Sequence, residues 1–166
     1  MVGDASAAYR SETPDVERVL REIHVLPDRY LVVVDHVALG EAAPISWLMH
    51  AQGKLTCSGT TFRLTGDRAG LTGQFVHSSA GAPAVRVVEG FPGVLAAEIE
   101  GLALHRHVEA VTPAAKRQTL VTLLVPYALS EPRRVLHFID DQGHGVHVYF
   151  VDEDGAEYRI DLGSGG

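Results

Sequence analysis

From Val19 to Leu162 the chain alternates short aliphatic and β-branched runs with clusters of Gly, Pro and Asp. No apolar spacing of three and four residues lasts long enough to make a helical stripe, whereas short runs bounded by turn formers mark strands. The pattern predicts strands over Val19–Leu26, Tyr30–Val37, Ile45–Ala51, Thr61–Leu64, Leu71–His77, Ala84–Glu89, Ala97–Val108, Gln118–Pro126, Val135–Asp140, Val146–Val151 and Glu157–Leu162, about eleven in all. Thr65-Gly66-Asp67, Asp141-Gln142-Gly143 and Asp154-Gly155 supply hairpin turns, because Gly reaches positive φ and Asp bonds back to the turn. Pro27-Asp28-Arg29 should fold the two strands around it onto each other. Val16–Glu22 alone invites misreading as a helical turn, and Pro113–Arg117, the best helix candidate, is too short to cover a parallel sheet. In Gln118–Pro126 both faces are apolar, which predicts an inner strand. The expected fold class is all-β, an antiparallel β-sandwich forming a single domain over 1–166. Residues 1–15 read as a polar lead-in and 163–166 as a flexible tail.

Composition narrows the function. At 166 residues, with 46% hydrophobic and 21% charged side chains, the chain can build one sizeable core. No apolar run reaches the ~20 residues of a membrane-spanning helix, so no membrane partner is expected. A formal charge of −7 opposes broad attraction to nucleic acid, which is likewise not expected as a partner. Lys116-Arg117 and Arg133-Arg134 are the adjacent basic pairs. Cys57 is the sole cysteine, which excludes an internal disulfide and a Cys-rich zinc site; it reads as a small buried side chain. The start, MVGDASAAYRSETPD, lacks the basic and continuously apolar regions of a secretory signal. A larger parent could still be periplasmic or secreted, its signal lying outside this chain.

Arg18 and Arg21 on one strand, followed by Tyr30-Leu31-Val32-Val33-Val34-Asp35 on the next, resemble a strand pair in the late β-domain of heparinase II/III-like polysaccharide lyases. Trp47-Leu48-Met49-His50 is similar to that family's following strand, and Leu120–Pro126 to its late apolar strand ending in Pro. The resemblance spans residues 3–128. It implies a β-sandwich that packs beside an α/α toroid and helps wall a cleft for an anionic, uronate-containing polysaccharide or oligosaccharide. In the family, a Tyr and a His of the toroid abstract the proton beside the uronate carboxylate, and zinc, where bound, sits on His and Asp of the early β-domain. Both would lie before residue 1 here. The resemblance therefore implies an accessory region, not catalytic alone, whose partner is the missing catalytic toroid domain or a second copy through self-association.

Three sets of residues carry candidate chemistry. His105, His107 and Glu109 recur at strand spacing, so all three project from one face opposite Leu102, Leu104 and Val108. Two imidazoles and a carboxylate suit zinc, and a solvated polar face opposite a core face explains the same alternation. No cofactor is required; zinc is the metal these residues would hold. Tyr30, Trp47 and His50 are the candidate substrate-binding residues: Tyr30 to donate to a sugar oxygen, Trp47 to stack on a sugar ring, His50 as a base titrating near neutrality. The competing roles are core packing for Tyr30 and Trp47 and a structural role for His50. His24 and His36 share the general-base reading, and His144 and His147 read as surface residues. No nucleophile elbow, P-loop or dinucleotide fingerprint occurs. Two further readings follow: an independent carbohydrate-binding or interaction module, which an exposed Trp47 would favour, and a small metal-dependent carbohydrate-active enzyme built on His105, His107 and Glu109.

Overall fold

Two strands that are apolar on both faces stand at the centre of the larger sheet. In the computed structural model, residues 1–26, 30–90, 106–130, 137–141, 146–151 and 155–162 are described. The elements are β1 (Val2–Asp4), α1 (Ser6–Glu12), β2 (Val16–Leu26), β3 (Tyr30–Ala43), β4 (Ser46–Ala51), β5 (Lys54–Ser58), β6 (Thr61–Thr65), β7 (Ala69–Ser78), β8 (Ala84–Glu89), β9 (Arg106–Val111), β10 (Ala115–Ala128), β11 (His137–Asp141), β12 (Val146–Val151) and β13 (Glu157–Leu162). They fall into two compact units, Met1–Leu129 and Ser130–Gly166.

The first unit holds a seven-stranded sheet, β1-β2-β3-β10-β7-β6-β5, and a three-stranded sheet, β4-β9-β8. Every pairing is antiparallel. The central pair, β3 and β10, runs Val34 opposite Val121, Val33 opposite Thr122 and Val32 opposite Leu123. All six are buried although successive residues point to opposite faces, so this part of the sheet is covered on both sides. Pro126 comes after the β3 pairing has ended at Leu124–Leu31, where only β7 remains as a neighbour. A missing N–H is tolerated there.

Between the two sheets lies the core of Trp47, Leu55, Phe62, Phe75, Val108, Ala110 and Leu120. Trp47 meets Phe75 edge to face at 5.1 Å and Phe62 at 5.8 Å. The Phe62 ring lies over Gly73, its cross-strand partner, because the missing side chain leaves a bed for it. Buried Thr112 and Gln118 lock two connections. Thr112 Oγ1 donates to Gln118 Oε1 and accepts from Ile45 N, while Gln118 Nε2 donates to the carbonyls of Ala43 and Ala115. With each polar group satisfied, burying them carries no orphan penalty.

The all-β antiparallel sandwich expected from the pattern is what the chain forms, with β10 inside as predicted. The described residues hold thirteen strands rather than about eleven. The two additions, β1 and β5, are short and mostly polar, so alternation alone does not flag them. The lead-in is ordered too: β1 pairs with β2, and Asp4 Oδ1 accepts the Ser6 N–H at the start of α1. The helix therefore sits at Ser6–Glu12, whereas Val16–Glu22 and Ala115–Arg117 are strand. Part of the predicted strand 97–108 lies outside the described residues, as do the Pro27-Asp28-Arg29 turn and the 163–166 tail. Leu26 nevertheless pairs with Tyr30, so the predicted hairpin is formed.

The second unit carries the three-stranded sheet β11-β12-β13. Val148, Phe150, Ile160 and Leu162 are buried, and the alternate positions His147, Tyr149, Arg159 and Asp161 form the polar face.

Candidate polar faces of the sandwich

The strand register decides which candidate residues meet. On β4, Trp47 and Met49 face the core, so Leu48 and His50 point the other way. His50 pairs with His107 of β9, and the two rings lie 4.9 Å apart. Leu48 pairs with Glu109, which in turn faces Arg86 of β8. The outer face of the small sheet thus gathers His50, His107, Glu109 and Arg86. The alternation read for His107, Val108 and Glu109 holds, with Val108 fully in the core.

Of the three residues expected to hold zinc, His107 and Glu109 fall within this gathering. His105 lies outside the described residues, and Glu109 Oε2 accepts from Arg86 Nε at 2.6 Å and Nη2 at 2.5 Å. The Oε2 oxygen is thus engaged by the guanidinium. His107 is buried at 6% exposure. Among the described residues no three His, Cys, Asp or Glu side chains are grouped so as to hold a metal ion.

Two of the three expected substrate-binding residues are buried. Trp47 is 7% exposed and wedged against Phe62 and Phe75, so its ring faces are taken by the core rather than open to a sugar. Tyr30 is 2% exposed, and its hydroxyl is buried with no hydrogen-bond partner among the described residues. It cannot present a proton to a sugar at the surface. Tyr30 stands on the seven-stranded sheet and His50 on the three-stranded one, so the two do not belong to one strand ladder. His50 remains exposed. Cys57 is exposed rather than buried, its Sγ 3.7 Å from the Val85 carbonyl where β5 meets β8.

A second polar cluster stands on the face of the seven-stranded sheet that points away from the core. Glu22 and His24 are two apart on β2, and His36 is on β3. His24 Nε2 lies 3.1 Å from Glu22 Oε2, and His36 Nε2 lies 3.6 Å from Glu22 Oε1. His36 Nδ1 is 3.1 Å from Thr119 Oγ1 of β10. Glu22 thus hydrogen-bonds His24 and lies near His36, whose hydrogen bond is to Thr119. The opposite, core-side face carries Arg21, whose Nε and Nη2 fork onto the buried Asp35 carboxylate at 2.6 and 3.0 Å. This bond raises the Arg21 guanidinium further above its ordinary value. His24 and His36 drew notice in the sequence only as isolated histidines. Their convergence on Glu22 depends on the β2–β3 register, whose one clue was the predicted hairpin.

On the polar face of the second unit, Asp161 Oδ1 accepts from Arg159 Nε at 2.5 Å and lies 2.7 Å from His147 Nδ1. The Arg159 bond, then the His147 bond, hold the Asp161 carboxyl below the usual carboxylate range. His147 is thus tied into a pair rather than being a simple surface residue.

No family model matches the sequence. No curated protein matches it either. Among solved structures, a mutant of heparan sulfate lyase HepC from Pedobacter heparinus superposes with a TM-score of 0.66 at 13% identity, covering 90% of this chain and 24% of that one. A crystal structure of heparinase III gives a TM-score of 0.64 at 10% identity, over 89% of this chain and 24% of that chain. A second heparinase III gives 0.59 at 14% identity, over 90% and 24%. The fold is heparinase-like. At these identities the likeness is one of fold, and the chain spans 24% of the length of each of those three proteins.

Proposed function

We propose that this chain serves as the carboxy-terminal β-sandwich region of a heparinase II/III-like polysaccharide lyase, supporting the binding of uronate-containing polysaccharide without catalysing elimination by itself. The observation that carries this reading is the heparinase-like fold, which accounts for 90% of this chain but only 24% of the lyase. A catalytic toroid is the natural partner of such a region. Elimination needs a base and a group that neutralises the uronate carboxylate, both placed in one water-poor site. The buried Tyr30 and the placement of Tyr30 and His50 on different sheets support a role that leaves the chemistry to a partner domain.

The test is to titrate the purified chain with uronate-bearing polymers while following ultraviolet absorbance for newly unsaturated sugar ends. Binding with flat absorbance is the expected result. Rising absorbance would show a complete elimination site and overturn the accessory role; absence of binding would overturn the saccharide role.

A further inference from the structure

The register of β2, β3 and β10 brings two arginines into one row. Arg18 and Arg117 both pair with Ala38, one from each side. Directly opposed residues in an antiparallel ladder share a face, so both side chains leave the same side of the sheet. With neighbouring strands ~4.8 Å apart, their Cα atoms stand about 10 Å from each other. Only the methyl group of Ala38 stands between them. Two long guanidinium stems can therefore close on one anion above it, or each can grip one of two anions on the same chain.

The next row on that face is Leu20, His36 and Thr119, which places the His36–Thr119 pair beside the arginines. Both arginines are exposed. Four other arginines are held in ion pairs: Arg21 with Asp35, Arg86 with Glu109, Arg106 with Glu89 and Arg159 with Asp161. Among the described residues Arg18 and Arg117 form no salt bridge, although Asp4 feels the charge of Arg18. Two acids on this face have partners of their own, while the Asp15 and Glu17 carboxylates lie within about 4 Å of a Cβ placed at Gly40. Asp4, opposite Leu20, accepts the Ser6 N–H, and Glu22 lies between His24 and His36. In a chain of net charge −7, this row is a local cationic exception.

We infer that Arg18 and Arg117, set across Ala38, form an anion clamp for the sulfate or carboxylate groups of an acidic saccharide, with Thr119 and His36 as adjoining hydrogen-bonding groups. A planar guanidinium matches both oxyanions with paired N–H donors. The inference rests on the saccharide-supporting role proposed above and adds the residues that would do the gripping.

Arg18→Ala, Arg117→Ala and the double variant test it, with Arg68→Ala, in the β6–β7 connection, as a control of equal charge loss. Unchanged circular dichroism and Trp47 fluorescence establish that each variant folds. Two probes are used: sodium sulfate, followed through the arginine Nε–H resonances, and a uronate-bearing polysaccharide, followed by calorimetry. The expected result is that sulfate shifts the Arg18 and Arg117 resonances, and that each single variant binds the polymer about tenfold more weakly, Arg68→Ala leaving binding unchanged. If the polymer binds wild type and double variant equally, the clamp is overturned while the saccharide role stands. If sulfate shifts both resonances but no polymer binds, the anion clamp stands and the saccharide role falls. Failure of both probes overturns both.

Discussion

Gly73 shows how one missing side chain organises the core. A Cβ built there would fall 1.9 Å from Cζ of Phe62, a ring that is 1% exposed and so has nowhere to move. Gly73→Ala should therefore cost about 1–3 kcal/mol by overpacking, read as a lower denaturation midpoint with an unchanged denaturant slope. Arg21 has the opposite dependence, on charge rather than volume. Removing it leaves the Asp35 carboxylate buried without its forked partner, while the lost guanidinium was half exposed. Arg21→Ala should destabilise by roughly 1–2 kcal/mol, a value reduced for the solvent screening of Arg21, and the same denaturation experiment measures it. Trp47 teaches the complementary lesson. A tryptophan between Ile45 and Met49 reads equally well as a sugar platform or as core, since alternation orders the two faces without saying which is covered. Its burial makes it a probe: native emission should be blue-shifted, unmoved by saccharide, and red-shifted on unfolding.

At the scale of elements, the hairpin of β12 and β13 is an apolar face backed by one charged knot. Asp161 is held below its ordinary 3.8 first by Arg159 and then by His147. A depressed carboxylate stabilises the folded state fully above the unfolded value and loses that contribution as pH falls through the folded one. Melting temperature should thus fall from about pH 4 downward, and Asp161→Asn should flatten that limb while lowering stability at neutral pH. An unchanged acid limb in this variant would place the acid sensitivity in other carboxylates, such as Asp4, lowered by its bonds to Ser6. Most strands were legible because period-two alternation and Gly, Pro or Asp turns are local signals. The short β1 and β5 were not, since a strand of few, mostly polar residues has no apolar face to advertise it and is held by its neighbours.

The whole molecule is ruled by contacts between distant parts of the chain. The seven-stranded sheet cannot close until β3 meets β10, so Tyr30–Ala43 must find Ala115–Ala128. Loop closure on that scale costs entropy before any pairing is gained, and folding should take about milliseconds to seconds, measurable by stopped-flow Trp47 fluorescence. Sub-millisecond refolding would contradict this. The sequence by itself determined that the chain would be β, where nearly all long strands would run, that β10 would be internal, and that no disulfide could staple it. These follow from local alternation, turn chemistry and one cysteine. Only the tertiary structure decided that Trp47 and Tyr30 are inside, that His50 meets His107, that Arg86 takes Glu109, and that Arg18 and Arg117 share a row across Ala38. Strand partners are chosen by burial over the whole sandwich. A period of two fixes which residues share a face, but neither the neighbouring strand nor the face that will be covered.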